Sequence, residues 1–138
     1  MEPVEHEKIL ALRETFSVLQ TWEDKYSYVI DLGKDMPAML DDRKNDNTRI
    51  YSCMSSVWVD IEIRQGNLYF TADSESQIVK GLLAIVREVY SGQSLKFVNA
   101  YDIEKLLSIL ELKKHITPQR GNGLRSIIKK IKEKGKVT

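Results

Sequence analysis

The hydrophobic pattern of the first 50 residues predicts two amphipathic helices followed by a polar loop. Between positions 5 and 20, apolar residues recur at helical spacing, namely Leu10, Leu12, Phe16 and Leu19. Thr21 is typical of a helix N-cap, because its hydroxyl can accept a hydrogen bond from an unpaired amide of the first turn. We expect the second helix to stop near Gly33, since glycine commonly ends helices, and the polar residues 34–48 to form an ordered loop.

A strict alternation of apolar and polar residues begins at position 57 and predicts a half-buried strand. One face carries Val57, Val59, Ile61 and Ile63, and the other carries Trp58, Asp60, Glu62 and Arg64. The sequence Gln65-Gly66-Asn67 is a turn signal, and residues 68–71 supply the second arm of a hairpin. The chain is therefore expected to contain a small antiparallel sheet.

Three further helices are predicted after the hairpin. Ser74 followed by Gln77 fits a capping box that opens a helix, and Ser91-Gly92 ends it. Two more helices have apolar positions at Ile103, Leu106, Leu107 and Leu110, and then at Leu124, Ile127, Ile128 and Ile131. No repeat or linker divides the pattern, so we expect one domain over residues 1–138. Its fold class is α+β, with a small antiparallel β-sheet packed against several α-helices.

The composition excludes several classes of protein. With 42% apolar and 30% charged residues, the 138-residue chain can build a core, so disorder is not expected. One cysteine and two histidines are too few for a disulfide framework, a structural zinc site or an iron–sulfur cluster within one chain. No apolar run approaches the roughly 20 residues that span a bilayer, and the acidic N-terminus lacks signal-peptide features. We expect a cytoplasmic protein without a membrane partner.

Charge is distributed unevenly along the chain. Residues 113–138 carry nine basic and one acidic side chain, whereas residues 1–46 carry six basic and eleven acidic ones. A basic tail can indicate nucleic-acid binding. Here the lysines fall on the solvent face of an amphipathic helix, and no aromatic residues alternate with them to stack on bases. Nucleic acid is therefore not an expected partner.

The single cysteine, Cys53, lies just before the predicted long strand. A lone cysteine is most often a small buried apolar residue. Its neighbours Ser52, Ser55 and Ser56 instead suit a turn or loop, and loops carry reactive groups more often than cores do. From the spacing alone, the structural and functional interpretations of Cys53 are about equal.

Four stretches of the chain together form a recognisable pattern: from Trp22 to Gly33, from Asn47 to Trp58 around Cys53, from Ala72 to Leu82, and from His115 to Leu124. In order and spacing they resemble the SufE family, the sulfur-acceptor partners of cysteine desulfurases. Residues 47–58 resemble its acceptor-cysteine motif, and residues 22–33 resemble its second helix. Residues 72–82 resemble its D-S-D segment followed by I-V-K-G, and residues 115–124 resemble its H-L-S/T-P-x-R-x-x-G-L segment. The resemblance covers nearly the whole chain, and it implies an α+β fold related to that of SufE and IscU.

The resemblance also implies a function for the chain. It would take persulfide sulfur onto Cys53 from a cysteine desulfurase of the SufS or CsdA type, stimulate that enzyme, and relay sulfur to an iron–sulfur scaffold complex. The chain would be a carrier and activator, not an enzyme. Pyridoxal phosphate would belong to the desulfurase, and the acceptor would hold no cofactor and no metal. A solitary cysteine suits this role, because a second thiol nearby would resolve the persulfide into a disulfide.

Partner-binding residues follow from the same resemblance. Ser52 stands where the family usually has glycine, and Met54 stands where it usually has glutamine. Arg120 is expected to dock the partner or hold the acceptor loop, although a solvated arginine near a helix start is common on any surface. Glu75 is expected to face the partner, although an acidic residue at a helix N-terminus also stabilises that helix.

A Cys–His thiol hydrolase is the alternative function. His115 would act as the base for Cys53, which requires a hydrogen bond between them, an orienting third group and an oxyanion hole. No hydrolase signature surrounds Cys53 in the sequence. The sequence does not determine how far apart the two side chains lie.

Overall fold

The computed structural model describes residues 3–51, 56–116 and 118–136, apart from the side chains of residues 115 and 118–122. Within these ranges lie six α-helices, three strands and two short 3₁₀ turns. In chain order they are α1 (Glu7–Val18), α2 (Trp22–Asp35), a 3₁₀ turn (Asp41–Arg43), β1 (Val57–Arg64), β2 (Asn67–Ser74), α3 (Gln77–Tyr90), β3 (Gln93–Ser94), α4 (Leu95–Ala100), α5 (Ile103–Ile109), a second 3₁₀ turn (Lys113–His115) and α6 (Pro118–Gly135). The α+β prediction is confirmed.

The first two helices form largely as predicted, with two corrections. The Thr21 hydroxyl accepts a hydrogen bond from the Asp24 amide at 3.1 Å, so the N-cap prediction is confirmed. In α1, Ile9 lies in the core whereas Leu10 is 53% exposed, because the buried stripe follows the spacing of Leu12 and Phe16. The helix α2 ends at Asp35, near the predicted stop, but Gly33 lies inside the helix and does not end it.

Gly33 has a packing role instead. It lies against Gly81 of α3, where a β-carbon on Gly33 would come within 2.8 Å of the Gly81 backbone nitrogen. A β-carbon on Gly81 would collide with the carbonyl oxygen of Val29. The two glycines therefore allow α2 and α3 to pack with their backbones in contact.

The sheet has the strand order β1-β2-β3 and is antiparallel throughout. Strands β1 and β2 form the predicted hairpin, with Val57 opposite Ser74 and Arg64 opposite Asn67. The turn consists of Gln65 and Gly66, which both have positive φ values of 52° and 81°, as the tightest hairpin turns require. Strand β3 is very short and pairs only with the first two residues of β2.

The core lies between the sheet and the helices, and α3 runs through its centre, packed against α1, α2, β2 and α6. The apolar face of β1 is buried only at its first half, since Val57 and Val59 are almost fully buried whereas Ile63 is 38% exposed. The apolar stripe of α6 is confirmed, with all four of its predicted residues buried, namely Leu124, Ile127, Ile128 and Ile131. In the described ranges, every helix is too short or too polar to cross a membrane.

Two features of the second half were not predicted correctly. The helix α3 is capped by Ser76, whose hydroxyl accepts from the Val79 amide, and not by Ser74. The helix α4 and the adjoining strand β3 were also not predicted from the sequence. Only Val98 of the six residues of α4 is buried, so the helix carries too short an apolar pattern to be detected.

Candidate functional site

The segment that carries the single cysteine connects two chain ends that are bonded to each other. The Ile50 amide donates to the Val57 carbonyl at 2.9 Å, and the Val59 amide donates to the Thr48 carbonyl at 2.8 Å. Residues 48–50 thus lie antiparallel to the start of β1. Cys53, like its predicted partner-binding neighbours Ser52 and Met54, lies outside the described residues, so these three assignments stay predictions.

The C-terminal end of the cysteine segment is fixed to the end of β2 and the residue that follows it. The Ser56 carbonyl accepts two hydrogen bonds, from the Ser74 hydroxyl at 2.9 Å and from the Glu75 amide at 3.2 Å. The Ser74 hydroxyl also accepts from the Ser76 amide at 3.1 Å. Ser74 does not cap α3 because it is still the last residue of β2, opposite Val57, and its hydroxyl oxygen accepts from the Ser76 amide before the first turn of the helix begins.

Positively charged side chains lie beside the two ends of the segment. The guanidinium of Arg49 donates to the Ser56 hydroxyl at 3.3 Å and lies over the rings of Tyr51 and Trp58, at 5.3 and 5.9 Å from their centroids. The ammonium of Lys44 also lies over Trp58, 5.3 Å from the ring centroid. Arg49 therefore links the N-terminal end of the segment to its C-terminal end.

Tyr51 is the last described residue before the cysteine and is 66% exposed. Its hydroxyl donates to a carboxylate oxygen of Asp46 at 2.8 Å. This hydrogen bond raises the pKa of Tyr51, because it favours the protonated phenol. A large aromatic side chain is thus held in solvent at the entrance to the cysteine segment.

A buried carboxylate lies directly behind these contacts. Asp73 is only 8% exposed and forms ion pairs with Lys44 at 2.8 Å and Lys80 at 3.5 Å. Its carboxylate also accepts from the Ser74 amide at 2.8 Å. Burial acts to raise the pKa of Asp73, but the hydrogen bonds from Lys44 and Ser74 and the charge of Lys80 outweigh burial and hold it below its ordinary value. The hydrogen bond to Asp73 in turn raises the pKa of Lys44.

Glu75 lies beside this cluster and is exposed. It lines a cleft of about 200 Å³ between α2 and the start of α3, together with Ile30, Lys34 and Lys80. The structure therefore brings Glu75 next to the cysteine segment, through the bond between its amide and Ser56. Whether Glu75 faces a partner stays a prediction.

The remaining predicted residues belong to the C-terminal region. Arg120 lies in the first turn of α6, and His115 ends the preceding 3₁₀ turn. Both side chains lie outside the described part of the molecule, so neither the docking role of Arg120 nor the pairing of His115 with Cys53 is tested. Over the ranges that the structure describes, no three His, Cys, Asp or Glu side chains come together as a metal site would require.

Lys44 and Arg49 belong to this site, although the sequence did not predict either of them. Lys44 belongs to a highly charged run, Asp41 to Asp46, that looks like any solvated loop. Its partner Asp73 is 29 positions away in sequence, and a single sequence carries no signal for such a contact. Arg49 lies within the cysteine motif, but its interaction with Ser56 depends on the pairing of the two segment ends.

These features define an α+β domain whose single cysteine lies, in sequence, between two firmly anchored chain ends. The chain matches the family described as SufE, Fe-S metabolism associated domain, over residues 10–135, and it belongs to that family. It is 36% identical over 129 residues to a SufE-like protein of Rhizobium etli, covering 90% of this chain and 86% of the relative. It is also 36% identical over 124 residues to a SufE-like protein of Rhizobium meliloti, covering 86% and 88% of the two chains.

A solved structure supports the fold assignment independently. The solution structure of a hypothetical protein from Thermus thermophilus matches with a TM-score of 0.76 and covers 96% of both chains. The two sequences are only 16% identical, so this likeness shows the fold alone. Family membership places the chain in iron–sulfur metabolism.

Proposed function

We propose that Cys53 accepts persulfide sulfur from a cysteine desulfurase, and that the chain thereby stimulates the desulfurase and relays sulfur towards iron–sulfur cluster assembly. The observation that carries this proposal is family membership across residues 10–135, together with a single cysteine within the family's acceptor-cysteine motif. The anchored ends of the segment support it, because they give a second protein fixed chain on both sides of the cysteine to dock against.

Persulfide transfer from the desulfurase to Cys53 requires no added oxidant or reductant. The Cys53 thiolate attacks the outer sulfur of the donor persulfide, and a new S–S bond forms on Cys53. The S–S bond of the donor breaks, and the donor cysteine leaves as a thiolate. The sulfur that moves keeps its oxidation state, so the chain needs no cofactor of its own for this step. Pyridoxal phosphate then serves only the desulfurase, which releases sulfur from free cysteine.

The exposed residues around the cysteine segment form a surface on which the desulfurase can dock. Tyr51 and Glu75 are exposed on either side of the cysteine segment, and Arg49 and Lys44 add positive charge beside them. This mixture of an aromatic side chain, an arginine and exposed charges is typical of protein interfaces. We expect the desulfurase to bind this surface in the cytoplasm, and the family resemblance adds Arg120 as a further docking residue.

Intact-protein mass spectrometry tests the proposal. The chain is incubated with a SufS-type desulfurase, pyridoxal phosphate and cysteine, and then analysed under non-reducing conditions. We expect a gain of one or more sulfur atoms on the wild type and no gain on Cys53→Ser. Desulfurase turnover under mild reduction should rise with the wild type and not with the variant. Equal stimulation by Cys53→Ser would overturn the proposal.

Alkylation and sulfur-loading measurements on His115→Ala test the hydrolase alternative. His115→Ala should leave both the alkylation rate of Cys53 and its sulfur loading nearly unchanged, because a carrier thiol needs no dedicated base. A large loss of alkylation rate in a folded His115→Ala variant would favour the hydrolase.

A further inference from the structure

A second cavity lies beside the β1–β2 hairpin. It is close to the hairpin turn, whereas the cysteine segment precedes the other end of β1. It has a volume of about 360 Å³, which is within the range of small-molecule sites. It borders the part of β2 that β3 leaves uncovered, since β3 pairs only with Asn67 and Leu68. One wall is apolar and consists of Met39, Leu40 and Phe70.

Three arginines line the same cavity, and two of them are already matched by acidic side chains. Arg43 pairs with Asp60, with 2.8 Å between its Nε and the carboxylate. Arg64 lies 3.7 Å from the Glu62 carboxylate and over the Tyr69 ring. The local charge is therefore balanced before the third arginine is considered.

Arg87, near the end of α3, is the unmatched cation. No acidic side chain or carbonyl group in the described ranges pairs with it, and its Nε is buried without a hydrogen-bond partner. A buried N–H group without an acceptor is rare in folded proteins and costs stability. Arg87 also lines the cavity, so an acceptor bound there would pair with its terminal amino groups, for which the described residues provide no partner.

Ser91 adds a second donor at the same place. It follows Arg87 by four residues at the helix end, so the two side chains lie on one side of the chain and both line the cavity. The Ser91 oxygen accepts from the Phe70 amide at 3.3 Å, which leaves the hydroxyl hydrogen to donate elsewhere.

We infer that this cavity binds the carboxylate of a small organic acid that has an apolar body. Arg87 and Ser91 donate to the carboxylate, and Met39, Leu40 and Phe70 contact the apolar part. A carboxylate fits better than a phosphate dianion for two reasons. The cavity has one uncompensated positive charge and contains the carboxylates of Asp60 and Glu62, and the planar guanidinium matches a planar carboxylate. The inference does not depend on the sulfur-acceptor proposal.

Protein-observed NMR titration at constant ionic strength tests this inference with three probes: phenylacetate, its neutral analogue phenylacetamide, and inorganic phosphate. We expect saturable shifts of the Phe70, Arg87 and Ser91 amides with phenylacetate, and binding at least about tenfold weaker with the other two. Arg87→Met should weaken phenylacetate binding by a similar factor. Arg125→Met removes an exposed arginine on α6 and should bind as the wild type does.

Several outcomes would overturn the inference. They are the absence of saturable shifts, shifts that map to another surface, and equal affinity for phenylacetate and phenylacetamide. Phosphate binding stronger than phenylacetate binding would reject the organic acid. Unchanged affinity in Arg87→Met would show that the arginine serves only the helix end. If Arg87→Met does not fold, Arg87→Lys decides the matter, because it keeps the charge but loses the planar fork and should bind several-fold more weakly.

Discussion

Gly33 of α2 and Gly81 of α3 touch backbone to backbone, and this contact sets the distance between the two helices that flank the candidate site. A β-carbon on Gly33 would lie 2.8 Å from the Gly81 nitrogen and 3.0 Å from its α-carbon. Backbone atoms cannot turn away as a flexible side chain would. The cleft beside Glu75 is lined by both helices, Gly33 included, so this close packing also shapes the surface next to the cysteine segment.

The first prediction concerns Gly81→Ala. Its new methyl group would collide with the Val29 carbonyl and side chain, so the helices must separate. We expect the free energy of unfolding to fall by about 3 kcal/mol, as measured by chemical denaturation.

Gly135→Ala is the matched control. Gly135 is also helical, but a β-carbon there would meet its nearest neighbours at an ordinary 3.5 Å. Its unfolding free energy should stay within about 1 kcal/mol of the wild type, because alanine favours a helix. Equal losses in the two variants would contradict the close-packing explanation.

The second prediction concerns Ser74→Ala, which removes the hydroxyl that holds the Ser56 carbonyl. Two hydrogen bonds are lost, to Ser56 and from the Ser76 amide, so we expect a loss of about 2 kcal/mol in unfolding free energy. We also expect slower sulfur loading of Cys53, because one end of its segment is held less firmly, although the Glu75 amide and Arg49 still contact Ser56. Loading is followed by mass spectrometry against time.

Ser76→Ala separates the local effect from a general loss of stability. It removes the N-cap of α3, which should cost about 1 kcal/mol, but it leaves the Ser74–Ser56 contact in place. Loading of this variant should match the wild type. If Ser76→Ala slows loading as much as Ser74→Ala does, the Ser56 anchor has no special role.

The third prediction concerns the acid sensitivity of Asp73. Its pKa is lowered in the folded protein, so its stabilising contribution is present above its ordinary value of 3.8 and is lost as the pH falls through the lower, folded-state pKa. Asp73→Asn should lower the unfolding free energy by about 2 kcal/mol at neutral pH. The difference from the wild type should shrink as the pH falls below that ordinary value.

Glu62→Gln serves as the comparison for Asp73→Asn. The Glu62 side chain is 61% exposed and lies 3.7 Å from Arg64, so its removal should change stability by less than about 1 kcal/mol. Denaturant titrations at neutral pH and near pH 3 measure both variants. A difference for Asp73→Asn that stays constant with pH would show that its ion pairs with Lys44 and Lys80 do not stabilise the fold.

The parts of the fold that the sequence predicted are those with local periodicity. The alternation after Val57 and the stripe from Leu124 to Ile131 each lie within one element, so a single sequence displays them. The cap of α3 was assigned to the wrong serine because Ser74 and Ser76 both suit an N-cap. What separates them is the pairing of β2 with β1, which extends to Ser74 opposite Val57, so that the helix can begin only after Ser76.

The candidate site was predicted in part for the same reason. The cysteine and its motif are local, so the sequence predicts a cysteine segment just before β1, and the structure shows that the two ends of this segment are bonded to each other. Lys44 lies in the loop before the hairpin and Asp73 lies in β2, so the two are brought together only by the tertiary structure. Glycine commonly ends helices, so the sequence predicts a stop near Gly33. In the structure Gly33 packs against Gly81 instead, and this contact depends on where α3 lies.

The last prediction concerns the two departures from the family pattern, Ser52 and Met54. The Ile50–Val57 hydrogen bond means that the chain reverses direction within the six residues between them. If the reversal needs a positive φ at position 52, serine carries strain of about 1 kcal/mol, which glycine would relieve while adding entropy to the unfolded chain. These effects oppose each other, so Ser52→Gly with Met54→Gln should change the melting temperature only slightly.

The same double variant should raise sulfur transfer to Cys53 with a family-typical desulfurase, because glutamine restores an amide that can hydrogen-bond the partner where methionine offers only an apolar side chain. Sulfur loading of Cys53 is measured by mass spectrometry for the double variant and for each single variant. The comparison shows which of the two positions causes the faster transfer. Unaltered transfer would mean that the two departures are neutral. Lower transfer would mean that Ser52 and Met54 fit a different desulfurase, one whose surface is complementary to them. Replacing them by the family residues would then remove contacts with that partner.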